Sequence, residues 1–274
     1  MELELRAALP PSVGLKERLF GRPIASFRDI RYAEAARLTL DVCRPKAAVA
    51  APVVVFFYGG GWRSGHKGLY RYVAKALTRR GYVAVVPDYR IYPEVRYPDF
   101  LDDGARAVRW VKDNFRRRSG ENLSDGSLGR CPYCGDAVDR LNLARQGRAR
   151  PRGAISPVCS ESRGRTTSCR SRTRLIVIFG GADRAETQPI FHVGPGAPPA
   201  LLLTGDRDDV VGAGNSTRLA ERLRAAGNEA TAVIYPRVGH YIIVAALAPF
   251  LRFRVPVLRD AEAFIARTLA TRRR

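Results

Sequence analysis

Two apolar rhythms alternate along the first 115 residues. Leu38, Leu40 and Val42 recur at every second position, so the stretch from Phe27 to Pro45 predicts early strands, with Arg44-Pro45 leading into the next element. Val53 to Phe57 is an unbroken run of β-branched and aromatic residues, which predicts a strand reaching Tyr58 and buried on both faces of a parallel sheet. From about Leu69 to Arg80 the period becomes helical: Tyr72, Val73, Ala76 and Leu77 make one apolar face and Gly81 ends it. Tyr82 to Val86 predicts a second buried strand, stopped by Pro87-Asp88. Pro98 and Asp99 then open a helix in which Leu101, Ala105, Val108, Trp110 and Val111 return at helical spacing. Strand, helix, strand, helix is the pattern of an α/β protein with a parallel sheet.

Beyond about Glu121 the rhythm stops. Asn122 to Arg174 shows no sustained period of two or of 3.6 and is rich in Arg, Ser, Gly and Pro, a composition that predicts an irregular or disordered segment. Order resumes at Leu175. A strand is expected over Leu201 to Thr204, an amphipathic helix over Asn215 to Ala226 ended by Gly227, and a strand over Ala230 to Tyr235. A last helix runs from about Arg259 to Leu269, with Ala261, Phe264, Ile265 and Leu269 facing inward. The 274 residues suit one large α/β domain spanning 1–274.

Charge adds a warning. Lys and Arg number 47 against 26 acids, a formal +21, which ordinarily points to nucleic acid or an anionic membrane. The excess is concentrated: Arg116 to Arg174 holds 14 Arg and 5 acids, net +9 over 59 residues, together with Cys131, Cys134, Cys159 and Cys169. The other 215 residues carry 21 less 9, or +12, and only Cys43. Interleaved aromatics and any nucleic-acid module are missing from the basic segment, so no nucleic-acid partner is expected. Cys131-Pro132-Tyr133-Cys134 has the C-x-x-C form of a redox site, but no strand leads into it. Zinc binding is not expected either, since Cys159 and Cys169 are too widely spaced for a ligand pair. The longest apolar stretch, Tyr241 to Leu251, is shorter than the roughly 20 residues of a spanning helix. The opening MELELRAALPPS does not read as a signal peptide, so a cytoplasmic location without membrane association is the expectation.

The chemistry is concentrated in VVVFFYGGGW, residues Val53 to Trp62. An apolar strand stopping at three glycines delivers bare backbone N–H groups to one point, where the chain can approach a substrate closely. Together with DIRY, LTLDV, RGYVAVVPDYRIYPEVRYP, IFGGAD, APPALLLTGDRDDVV and YPRVGH, in that order, this loop resembles the α/β-hydrolase superfamily, specifically its carboxylesterase and lipase-like members. The resemblance runs from about Asp29 to Asn114 and from about Leu175 to Leu269. It implies an α/β-hydrolase fold, a mostly parallel sheet with helices on both faces, and hydrolysis of a small carboxylic ester without cofactor or metal. It assigns the oxyanion hole to the Gly60 and Gly61 N–H groups, with Tyr58 in place of the usual His, and puts Tyr58 and Trp62 at the pocket. The spacing G-x-x-D-x-x-V selects Gly205, Asp208 and Val211, making Asp208 the acid in preference to Asp206 or Asp209, and His240 falls where the general base sits. His66 is placed near the pocket mouth and His192 on the surface.

The nucleophile is missing. A strand and then G-x-S-x-G should follow the helix ending near Phe115, and no such pentapeptide occurs in the chain; Ser127 in GSLG has neither the strand nor the spacing. The genetic code offers an account. Asp125 to Cys131, DGSLGRC, can be encoded by GAT GGG TCA CTC GGC CGG TGC, and starting one base later, running into Pro132, this reads MGHSAGA. That contains a family-type elbow, GHSAG, where the architecture calls for one. Cys159 to Thr167 can likewise be encoded so that another displaced frame reads LGISGPYD. The expectation is that about Ser124 to Arg174 is translated out of frame, which accounts for the Arg and Cys excess, the lost period and the absent serine together. A chain of this kind is expected to be catalytically impaired, and the neighbours of the two displaced strands to lose backbone partners and apolar cover.

Overall fold

The computed structural model describes residues 23–46, 51–115, 176–180 and 187–271. Its first sheet has the order β1-β2-β4-β3, built from β1 (Ile24–Arg31), β2 (Thr39–Pro45), β3 (Val53–Val55) and β4 (Val83–Pro87). β1 pairs with β2 and β2 with β4 antiparallel, whereas β3 and β4 are parallel and joined through α1 (Arg71–Arg79). A second, two-stranded parallel sheet pairs β5 (Ala200–Gly205) with β6 (Ala230–Tyr235) from Ala200↔Ala230 to Gly205↔Tyr235, with α3 (Gly214–Ala225) as the crossover. The strands thus divide evenly between parallel and antiparallel ladders among the described residues.

β4 shows why the first sheet is stable. Its alternating side chains enter two separate cores. Ala84 and Val86 pack with Val73, Ala76 and Leu77 of α1, and Val83 and Val85 pack with Leu40, Val42 and, from α2 (Asp99–Phe115), Val111 and Phe115. Each fully buried aliphatic side chain contributes about 1.5–3 kcal/mol. β3 differs from expectation. Its ladder is short, continued by the Val83 N–H to the Pro52 carbonyl at 2.9 Å and the Phe56 N–H to the Val85 carbonyl at 2.8 Å, and Val53 to Phe56 are half-buried while Phe57 is exposed. Among the described residues β3 has a partner on one side only, which leaves its other edge uncovered.

α2 also corrects the sequence pattern. Its buried positions are Phe100, Asp103, Ala107, Val111, Lys112 and Phe115; of the expected stripe Val111 is among them, while Leu101, Ala105, Val108 and Trp110 are half-buried. The face is rotated because Asp103 sits in it with no solvent exposure, its two oxygens accepting from Arg90 Nε and Nη2 at 2.8 Å each. A bidentate guanidinium satisfies a carboxylate that burial alone would penalise. The two parts of the chain meet directly. Ile178 and Leu258, the latter from α5 (Val257–Thr271), belong to the core on the α1 side of β4, and the Tyr97 N–H donates to the Ile178 carbonyl at 3.0 Å. Among the described residues no helix is long and apolar enough to cross a membrane.

Candidate functional site

At the C-terminal end of β5 two loops are stitched together by backbone. The Asp206 N–H donates to the Tyr235 carbonyl and the Arg207 N–H to the Val238 carbonyl, both at 3.1 Å. Gly205 permits this approach: a Cβ there would lie 1.9 Å from the Val238 carbonyl oxygen. The turn that follows aims Asp208. Its Oδ1 accepts the N–H groups of Val210 at 3.0 Å and Val211 at 2.6 Å, and its Oδ2 lies 2.9 Å from Nδ1 of His240, the first residue of α4 (His240–Ala245). The Asp208 side chain is 6% exposed and the His240 ring 32%. A carboxylate fixed by two amides therefore holds an imidazole by one nitrogen, and no described residue hydrogen-bonds the other. Asp206 and Asp209 are exposed and outside this arrangement. The spacing G-x-x-D-x-x-V thus has a physical reading: the Gly admits the His loop, and the backbone at the Val caps the Asp.

This geometry makes Gly205→Ala a sharp perturbation. The new methyl meets main chain, which cannot rotate away, so the 238–240 segment must move. A stability loss of about 1–3 kcal/mol is expected in denaturant unfolding, together with weakening of the Asp208–His240 contact, read as altered His240 imidazole NMR shifts; unchanged shifts and unchanged stability would refute the packing account.

The glycine loop is held on its own frame. Gly60 has φ +156° and a Cβ there would sit 2.0 Å from the Ser64 carbonyl oxygen, so no other residue fits without main-chain movement. The Gly60 carbonyl accepts from the Arg63 and Ser64 N–H groups, each at 3.2 Å, and from the Ser64 hydroxyl at 3.1 Å. Gly60 and Gly61 are exposed, and no described residue accepts a hydrogen bond from either N–H. Trp62, at φ +57°, is half-buried and lies edge-on to Phe179 at 4.8 Å and against Phe100 at 5.6 Å.

Tyr58 corrects the expectation of a pocket residue. Only 3% exposed, it stacks between Tyr70 and Tyr89 and donates its hydroxyl to Asp88 Oδ1 at 2.6 Å. Burial, and then the hydrogen bond to Asp88, push its phenol well above the ordinary value. It supports the loop from beneath. Asp88 Oδ1 also accepts the Lys67 N–H at 2.7 Å, and Arg37 ties the loop down by donating to the carbonyls of Gly65 at 2.6 Å and Tyr89 at 2.8 Å. None of these bracing residues is marked in the sequence, since each partner lies 21 or more positions away. The His66 ring is engaged locally: its Nδ1 accepts the Gly68 N–H at 3.1 Å, capping the 3-10 turn Lys67–Tyr70. His192 is half-buried rather than on the surface.

Two tyrosines connect loop and imidazole. The Tyr70 hydroxyl donates to the Gly59 carbonyl at 3.3 Å, the Tyr70 and Tyr72 rings stack at 6.3 Å, and the Tyr72 hydroxyl donates to the carbonyl of Val244, one turn beyond His240, at 3.4 Å. Ser127, and the interval that would carry a nucleophile, lie outside the described residues.

Residues 40–119 match the BD-FAE family and residues 180–271 the prolyl oligopeptidase family. These two matches, together with the esterase relatives that follow, support an α/β-hydrolase family of the carboxylesterase and lipase-like kind. Esterase LipC of Mycobacterium tuberculosis is 28% identical over 238 residues, covering 78% of this chain and 59% of LipC, so the chain spans little more than half the length of that relative. A gibberellin receptor of Arabidopsis thaliana is 36% identical over 88 residues, which are 31% of this chain and 25% of the receptor. The α/β-hydrolase fold is shared with a thermophilic esterase from Thermogutta terrifontis, at a TM-score of 0.60 and 21% identity over 91% of this chain and 93% of that one. An esterase from Pyrobaculum calidifontis superposes with a TM-score of 0.63 at 20% identity, over 98% and 88% of the two chains. The BD-FAE match contains Gly60 and Gly61, and the prolyl oligopeptidase match contains Asp208 and His240.

Proposed function

We propose that this protein is a carboxylic ester hydrolase of the acyl-serine type whose nucleophile has been lost through displaced translation of about Ser124 to Arg174. The observation that carries the reading is the hydrogen bond at 2.9 Å between Asp208 Oδ2 and His240 Nδ1. With Nδ1 donating to Asp208, the tautomer is set so that Nε2 is the basic nitrogen. In the undamaged arrangement that nitrogen takes the serine proton as the oxygen attacks the ester carbonyl, then returns it to the departing alcohol. The Gly60 and Gly61 N–H groups, unclaimed by described residues, donate to the oxyanion as its charge develops. Trp62 lines the acyl or alcohol side of the pocket. The substrate is a small carboxylic ester, and neither nucleic acid nor membrane is part of the reaction.

The domain is a single α/β-hydrolase unit over 1–274, interrupted by the displaced interval. Support comes from the two family matches, which stop at 119 and resume at 180, on either side of that interval. A cytoplasmic location completes the reading, and the free, buried Cys43 suits a reducing compartment. Sequencing the gene tests the displacement directly. The nucleotides across Asp125 to Cys131 are expected to spell MGHSAGA one base out of register, and those across Cys159 to Thr167 to spell LGISGPYD; codons incompatible with either would remove the hypothesis.

A second reading is supported by the match to a receptor over 88 residues: a binding protein of the same fold that has no use for the serine. It predicts a stably folded, monodisperse chain that retains a small ligand without turning it over even after the displaced interval is restored, whereas the damaged-enzyme reading predicts turnover on restoration.

A further inference from the structure

Away from the Asp208–His240 pair, the loop leaving α4 and the start of α5 enclose a pocket of about 410 Å³ walled by Arg80, Arg252 and Arg259. Phe253, Val255 and Leu258 supply its apolar surface, the last two buried and Phe253 81% exposed. The acids nearby are already engaged. Glu262 pairs with Arg80 at 2.5 Å, and Asp260, 3.6 Å from Arg259, also accepts the Tyr235 hydroxyl at 2.6 Å. Arg252 donates Nε to the Leu247 carbonyl at 3.3 Å and makes no ion pair among the described residues. Burial, and then the charges of Arg80 and Arg79, lower it below the ordinary arginine value, yet a guanidinium stays charged at any physiological pH. Three guanidiniums, those of Arg80, Arg252 and Arg259, thus line the concavity, and Arg79 adds its charge to Arg252 from outside the wall, against the two carboxylates of Glu262 and Asp260.

Such a cluster repels itself unless an anion enters, and its planar forks match oxyanion geometry. A tetrahedral dianion supplies both the missing charge and enough acceptors for several guanidiniums. We propose that this pocket binds a phosphate-type oxyanion, gripped by Arg252 and Arg80 with Arg259 at the mouth. The proposal is independent of ester hydrolysis. The same phosphate chemistry arrives either as a free small molecule or as a lipid headgroup, which the exposed Phe253 could accompany into a bilayer surface.

The experiment uses the full chain. Inorganic phosphate is titrated calorimetrically at constant ionic strength, and vesicle sedimentation is run with phosphatidylcholine alone and with added phosphatidylglycerol. Arg252→Gln and Arg80→Gln are compared with Arg267→Gln, an exposed arginine of α5 that matches the charge change away from the pocket. Saturable phosphate binding weakened about tenfold or more by the pocket variants, and unchanged in Arg267→Gln, supports a small-molecule site. Sedimentation only with phosphatidylglycerol, lost in the same two variants, supports the site with a headgroup as its source. Equal behaviour of Arg252→Gln and Arg267→Gln, or no binding of phosphate or vesicles by the unaltered chain, overturns the proposal.

Discussion

The chain as written is expected to hydrolyse p-nitrophenyl butyrate no faster than roughly 10³–10⁴ over water, the residue left by substrate binding and an oxyanion hole without a nucleophile. Re-encoding residues 125–174 in the displaced frames, which replaces Leu128 by the elbow serine, is expected to raise kcat by on the order of 10³ or more, because a triad nucleophile works as a unit with its base. In that restored chain His240→Ala should abolish the gain, while Asp208→Asn should remove a large part of it by releasing the tautomer. Gly60→Ala should lower kcat more than it changes KM, since the amides it displaces serve a charge that exists only in the transition state. Steady-state kinetics of these five proteins decide the matter. Ordinary esterase rates in the unaltered chain, sensitive to His240→Ala, would mean that a nucleophile has been overlooked.

Removing the Lys67 ammonium should produce the largest stability change outside that interval. Its side chain is 9% exposed and its Nζ lies 2.6 Å from Asp29, 3.5 Å from Asp41 and 3.5 Å from Asp88. Burial alone would depress this lysine, but the hydrogen bond to Asp29 and the charges of Asp41 and Asp88 outweigh it and hold its pKa above the ordinary value. Lys67→Ala leaves two largely buried carboxylates facing each other without a cation, and breaking such a buried cluster costs about 3–5 kcal/mol. That is a large fraction of a typical domain's roughly 5–15 kcal/mol, so a sharply lowered denaturation midpoint is expected. Asp29 is 73% exposed, so Asp29→Asn should barely move the midpoint. The pH dependence has a definite sign. With its folded pKa raised, Lys67 contributes fully below the ordinary lysine value and the contribution fades only as pH climbs above it, so neutral-range stability should be flat in this group. Equal losses from Lys67→Ala and Asp29→Asn would show that the cluster is ordinary surface charge.

Legibility in the sequence followed the range of each interaction. β6 occupies the stretch expected of it, Ala230 to Tyr235, because alternation and flanking turns are local. The four expected helices arrive where their periods put them, though α4 has no such expectation, and the face of α2 differs: Asp103 interrupts the apolar stripe, and the Arg90 that makes its burial tolerable is 13 residues away. Strand β3 is identifiable by composition, yet how many neighbours cover it depends on other segments. Asp208 could be separated from Asp206 and Asp209 because cap and Gly lie within six residues of one another, a span that a motif can encode. Tyr58 departs from its expectation for the opposite reason. Its position beside three glycines suggests a pocket, while its burial is decided by Asp88, Tyr89 and Tyr70, none adjacent to it in the chain. The Arg37 and Asp88 braces have no local signature at all.

The most direct measurement is covalent. The restored chain is incubated with a p-nitrophenyl alkylphosphonate, an analogue of the tetrahedral intermediate, and the adduct is mapped by mass spectrometry of proteolytic peptides. A single modification at position 128, absent from the chain as written and slowed by His240→Ala, is the predicted result. Labelling of the unaltered chain at any other serine, or no labelling after restoration, would contradict the convergence of Gly60, Asp208 and His240 on a displaced nucleophile.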